Sequence, residues 1–239
     1  MIKLNLSAVL CALAIASQVS AAIVDTSDRG WYDATGNHGS SNLNYVTGRV
    51  NFNETTLHRS FFYFDLSALS GPFSSATFEA YNPGLDPVFM LSGYESPNET
   101  ETLKLFDVST SLTDLLGGTG GTGAYNDLGD GIVFGEATVS SGDNNTFVSI
   151  TLNPVGLAAL NLAVGGDFIF GAALTTLSSS TGNEHIFAFT NDGILADTRL
   201  ILDAPAGQVP EPGSLALFAG LSLLIGVRHI RLRRFGHNR

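Results

Sequence analysis

Three histidines, His38, His58 and His185, lie in the body of the chain, separated by 20 and 127 positions. Zinc signatures such as H-E-x-x-H set two imidazoles on one helix turn. No such spacing occurs here, so a metal site would have to be assembled by the fold from distant segments. No serine stands in a G-x-S-x-G elbow. The 22 Asp and Glu residues permit a glycosidase pair but do not define one. A secreted hydrolase therefore rests on no motif, and the expectation is a non-enzymatic protein. Short oxygen-bearing side chains cluster at 126–131, 143–145 and 191–193, which makes Asp127, Asp130, Asp143 and Asp192 the calcium candidates. Calcium takes about six to eight oxygen ligands, often from turns. None of the clusters has the EF-hand spacing, and Asn, Asp and Gly are also the ordinary residues of hairpin turns. Turn formation is the favoured reading, calcium the alternative, and no other cofactor is expected. Sugar recognition needs aromatic faces beside amides and carboxylates. Trp31 and Tyr32, next to Asp33, Asn37 and His38, are the candidates for glycan contact, although packing at the sandwich edge is the favoured reading for Trp31.

The elements that must position these residues read as strands. Short apolar segments separated by Gly, Asn, Asp, Ser and Pro run from residue 23 to about 207, the pattern of an antiparallel β-sandwich. Strands are predicted over 43–52, 59–65, 75–81, 88–95, 103–108, 132–139, 147–152, 168–174, 185–190 and 199–202. In 76–80 the residues Ala76, Phe78 and Ala80 share one face, as do Val148, Ile150 and Leu152 in 147–152, because strand side chains repeat every two residues. Two segments break the period. Asn153 caps a helix that begins at Pro154 and stops at Gly165 and Gly166, and a shorter helical turn runs from Ser109 or Thr110 to Gly117. The glycine-rich stretch 117–123 then reads as a flexible loop, since it lacks the Lys and the following helix of a phosphate loop. The expected fold class is all-β, a jelly-roll-like antiparallel sandwich with one or two short helices.

Composition narrows the partners. The chain has 239 residues, formal net charge −11, and only 14% charged residues against about a quarter in ordinary soluble domains. Between residues 23 and 208 five basic residues face 21 acidic ones, a net −16, which excludes nucleic acid as a partner. The single cysteine, Cys11, permits neither an internal disulfide nor a cysteine-rich zinc site.

Both termini carry addresses. Residues 1–22 have Lys3, an apolar run and a small-residue end at Val19-Ser20-Ala21-Ala22, the plan of a secretory signal peptide cut after Ala21 or Ala22. The Sec and signal-peptidase machinery are the partners this implies. A linker from 208 leads through Val209-Pro210-Glu211-Pro212-Gly213 to an uncharged apolar stretch, 214–227, and then to Arg228, Arg231, Arg233 and Arg234. Fourteen helical residues reach about 21 Å against a hydrocarbon core of roughly 30 Å. Snorkelling arginines extend the span to about 214–230, and the cationic tail stays cytoplasmic.

The order of Pro-Glu-Pro, short apolar stretch and Arg-rich end resembles the PEP-CTERM sorting tag of Gram-negative bacteria. The resemblance covers 209–234, with the basic residues interrupted by His229, Ile230 and Leu232. It implies recognition of Pro210, Glu211 and Pro212 by an exosortase in the inner membrane, with cleavage near the motif and release to the cell surface or an extracellular matrix. A permanent single-pass anchor is the alternative. Within the body, Arg59-Ser60-Phe61-Phe62-Tyr63-Phe64-Asp65-Leu66-Ser67 followed by Ser75-Ala76-Thr77-Phe78-Glu79 resembles DNRLRE-type extracellular modules, as does the closing Thr198-Arg199-Leu200-Ile201-Leu202. That resemblance implies a β-sandwich, and an exopolysaccharide as a further partner.

Overall fold

A computed structural model describes residues 21–205 apart from 53, 87–92, 179–180 and 189–192. The signal segment, Asp192, the 209–213 motif and the arginines of the tail lie outside the described residues. Strands dominate, and every strand pair is antiparallel.

In chain order the strands are β1 (Ala22–Asp25), β2 (Asp28–Asp33), β3 (Thr47–Phe52), β4 (Glu54–Asp65), β5 (Ser75–Asn82) and β6 (Thr100–Asp107). Helices α1 (Leu112–Gly117) and α2 (Gly121–Asp127) precede β7 (Val133–Ser140) and β8 (Thr146–Thr151). Helix α3 (Pro154–Ala163) then leads to β9 (Asp167–Leu174), β10 (Glu184–Ile186) and β11 (Thr198–Asp203). One sheet has the order β1-β11-β5-β8, so the first and last strands are neighbours. The other runs β10-β3-β4-β9-β6-β7. Its long strand β4 pairs with β3 over 54–58 and with β9 over 60–65. Strand β2 takes the opposite edge of β4, because His58 pairs with both Gly48 and Asp33.

The two sheets share one apolar core. Alternation in β5 turns Ala76, Phe78 and Ala80 inward, and β4 answers with Phe62 and Phe64. The Phe62 and Phe78 rings lie 4.6 Å apart and Phe78 meets Phe170 of β9 edge to face at 4.9 Å. Helix α3 closes one end of this core with Leu160, which is fully buried, while the Asn153 side chain caps it by accepting from the backbone N–H of Val155 and Gly156.

Three expectations need correction. The 117–123 stretch is not a loop throughout: Gly118, at φ 72°, ends α1, and Gly121 opens α2. The expected strand over 43–52 begins only at Thr47, because Asn42 and Asn44 turn their side-chain oxygens onto the N–H groups of Asn44 and Val46. Of the expected strand over 185–190, the described residues form only Glu184–Ile186, with 189–190 outside them. Strands β1 and β2 went unpredicted; β2, Asp28-Arg29-Gly30-Trp31-Tyr32-Asp33, is packed on both faces and shows no clean alternation.

Candidate functional site

Strand β6 ends at Asp107 and β7 begins at Val133, and between them α1 and α2 fold over the outer face of the larger sheet. They cover a second apolar cluster made of Tyr32, Phe61, Leu115, Ala124 and Leu128. Helix α2 comes very close to the turn after β2: a Cβ on Gly36, whose φ is +89°, would lie 2.4 Å from the backbone nitrogen of Thr122. Glycine at 36 is what lets the two segments touch.

The end of α2 is fixed by Asp127. Its carboxylate accepts four hydrogen bonds, from the N–H groups of Ser109 and Thr110 at 2.9 and 2.7 Å and from their hydroxyls at 2.8 and 2.7 Å. Partial burial pushes its pKa up, the four donors pull it down further, and the group ends below the ordinary carboxylate value. Around this clamp lies an open groove of about 530 Å³, lined by Asp107, Ser109, Thr110, Asn126, Asp127 and Asp130 with Gly123 and Gly131. Asp107 Oδ1 accepts from the N–H of Ile132 at 2.6 Å and Asp130 Oδ1 from that of Gly131 at 2.8 Å. At the rim, the Arg59 guanidinium stacks 4.5 Å from the centre of the Tyr125 ring and donates to the carbonyls of Tyr125 and Asn126. The lining holds carboxylates, hydroxyls and an amide but no cation. Such a surface accepts hydrogen bonds from hydroxyl or ammonium groups, and the negative charge of its three carboxylates disfavours an anion.

The calcium candidates are thus partly brought together. Asp127 and Asp130 share the groove with Asp107, which the sequence did not single out. Asp143 is elsewhere, in a capping box at a 3-10 turn where it accepts from the N–H and hydroxyl of Ser140. Among the described residues no group of three or more His, Cys, Asp or Glu is placed to hold a metal ion. Only two of the three histidines, His58 and His185, come near each other. His185, Gly48, His58 and Asp33 form one cross-strand row, whereas His38 lies on the other side of the sheet, stacked on Tyr32 at 4.9 Å. Burial pushes both His38 and His58 below the ordinary histidine value.

Of the two aromatic candidates, Tyr32 has no face to offer a sugar. It is 0% exposed, and its hydroxyl lies 2.9 Å from the carbonyl oxygens of Asp114 and Leu115, fastening α1 to the sheet. Trp31 is half-buried, with its ring edge-on to His58 at 4.6 Å. Its Nε1 and the Nδ1 of His58 are both buried without a hydrogen-bond partner.

Two further acids escaped the sequence reading. Glu101 accepts from Ser96, Asn98 and Thr176, and Glu184 from Ser178 and Arg49, with the Asn98 amide touching both carboxylates. This buried network ties the loops at the far end of the larger sheet. Its one available signal is phase: Glu101 alternates with Leu103 and Leu105 on the inward face of β6.

No family model matches the chain, and no curated protein matches it either.

Proposed function

We propose that this is an exported, non-enzymatic surface or extracellular-matrix protein, with a jelly-roll-like β-sandwich body that is sorted and cut at its Pro-Glu-Pro motif by an exosortase. The observation that carries the reading is the order of Val209-Pro210-Glu211-Pro212-Gly213, an uncharged apolar stretch and an arginine-rich end. The limits of the β body support it. Pairing begins with Ala22 opposite Leu202 and ends with Asp203 opposite Ser75, so the sheet starts where the signal peptide is expected to end and finishes before the motif. The test is the intact mass and location of the mature protein in its host, with and without Glu211→Ala. A product ending near Pro210 that disappears in the variant supports sorting; an uncut chain held in the inner membrane in both cases favours a plain anchor.

A second reading, polysaccharide binding, is favoured by the groove beside Asp127, whose acceptor-rich lining suits the hydroxyls of a neutral or amino sugar polymer. Affinity electrophoresis on such polymers tests it, and unretarded migration on all of them counts against it.

A further inference from the structure

Helix α3 has the sequence Pro-Val-Gly-Leu-Ala-Ala-Leu-Asn-Leu-Ala and carries no charged residue in a body of net −16. Its inward side is accounted for by Gly156 and Leu160, both buried, with Leu157, Ala159 and Ala163 packed against the core. Its outward side is apolar as well. Val155, Ala158 and Leu162, spaced i, i+3 and i+7, form one stripe along the helix. Leu162 is 89% exposed and Val155 51%. Ile132, 53% exposed, adjoins the start of the same helix, since the Asn153 amide donates to the carbonyl of Val133. A single exposed leucine is commonplace, but a charge-free helix with apolar residues on both sides is not what a solvated surface needs.

What covers the stripe follows from where the chain leaves the body. The Asn161 side chain grips Phe73 twice, accepting from its N–H at 2.7 Å and donating to its carbonyl at 3.0 Å. The next residue, Ser74, donates its N–H to the carbonyl of Asp203 at 2.8 Å, and Asp203 is the last residue of β11. The helix therefore stands one residue away from the point of exit. From there only residues 204–213 separate the body from the apolar stretch, a reach of at most about 35 Å when fully extended. Ala22, opposite Leu202, brings the N-terminal end of the body to the same pole. Acids of this pole, Asp65, Asp167 and Asp203, belong to strand termini and not to α3.

We infer that the outward stripe of α3, Val155, Ala158 and Leu162, docks onto the lipid bilayer in which residues 214–227 are anchored, seating the uncut protein on the membrane by this pole. The inference concerns the chain before the cut that the proposed function describes, and rests on residues 214–227 lying in the membrane at that stage. Two or three apolar side chains hold a free protein weakly, whereas a short tether raises their effective concentration at the surface to about millimolar.

The test uses the chain without residues 1–21, whose own apolar run would otherwise float it and which carry Cys11, in phosphatidylcholine vesicles, which remove charge as a variable. An environment-sensitive NBD label is placed at Leu162→Cys or, at the far end of the larger sheet, at Thr100→Cys, and quenching is read with doxyl-labelled lipid. The expected result is a blue-shifted emission at 162 and quenching several-fold stronger than at 100. With the label at Ala158→Cys, adding Leu162→Ser should weaken the quenching while leaving the thermal midpoint in place. Equal quenching at 162 and 100 in a chain that floats with the vesicles overturns the docking and leaves the anchor standing. A chain that does not float at all overturns the anchor, and the docking with it.

Discussion

Two helical insertions cover parts of the same sheets by opposite means. Between β6 and β7 the cover packs Leu115, Ala124 and Leu128 on Tyr32 and Phe61 but is polar and glycine-rich on top: α2 begins with Gly121 and Gly123, which have open space around them, and its end is held by four hydrogen bonds to Asp127. Between β8 and β9 the cover is apolar: α3 is held by Leu160 in the core and by the Asn153 cap. Both covers have apolar undersides, but the one finished by a carboxylate leaves an acceptor-rich groove around it, whereas α3 leaves carbon on its far side. The outer faces of the two covers therefore differ more than their undersides do.

If that contrast is right, the two covers should fail differently. Leu160→Ala removes a fully buried side chain and is expected to cost about 2–5 kcal/mol in urea unfolding of the whole body. Asp127→Ala strands the donors of Ser109 and Thr110, with an expected loss of about 1.5–3 kcal/mol. Hydrogen exchange should show that loss concentrated in α1 and α2. The two also part with pH. Asp127 has a folded pKa below its unfolded one, so its contribution is present above the ordinary carboxylate range and is lost as pH falls through the lowered folded value. Asp127→Asn should abolish that part of the acid sensitivity, and Leu160→Ala should leave it intact. Asn153→Ala removes a cap and should cost about 1 kcal/mol, with exchange rising at the start of α3. Smallest of all, Leu162→Ser should change stability by less than about 0.5 kcal/mol, because the residue makes its living outside the core. A loss as large as that of Leu160→Ala would erase the distinction between the two sides of α3.

Much of the core was legible in the order of residues. Alternation located most of β5 and β8 and their inward residues, the apolar segment between turn residues located β9, and Asn153-Pro154 marked the start of α3. The unread parts have a common physical cause. Strand β2 is packed on both sides, and its Arg29 is buried with a guanidinium that bonds to Leu43 and Thr198 and stacks over Tyr45, partners no local pattern announces. Helix α2 looked like a loop because glycine disfavours helices; Ala124 and Leu128, packed on Tyr32 and Phe61, override that preference. The candidate groove was half visible. Asp127 and Asp130 stood out by their neighbours, whereas Asp107 reaches them only because β6 and β7 pair.

The neighbouring of first and last strands has a temporal meaning. Thr26 and Thr198, 172 positions apart, share a hydrogen bond, and β11 is wedged between β1 and β5 as an inner member of its sheet. A chain that emerges N-terminus first, from a ribosome or through a membrane pore, cannot complete that sheet until its final strand is out. Until then β1 and β5 wait as unpaired edges, and such long-range closure is slow. The molecule is therefore built like a clasp whose last piece arrives last. Any stage of synthesis that still holds back residues 198–203 leaves that sheet open, and release of the final strand and closure of the sheet become one event.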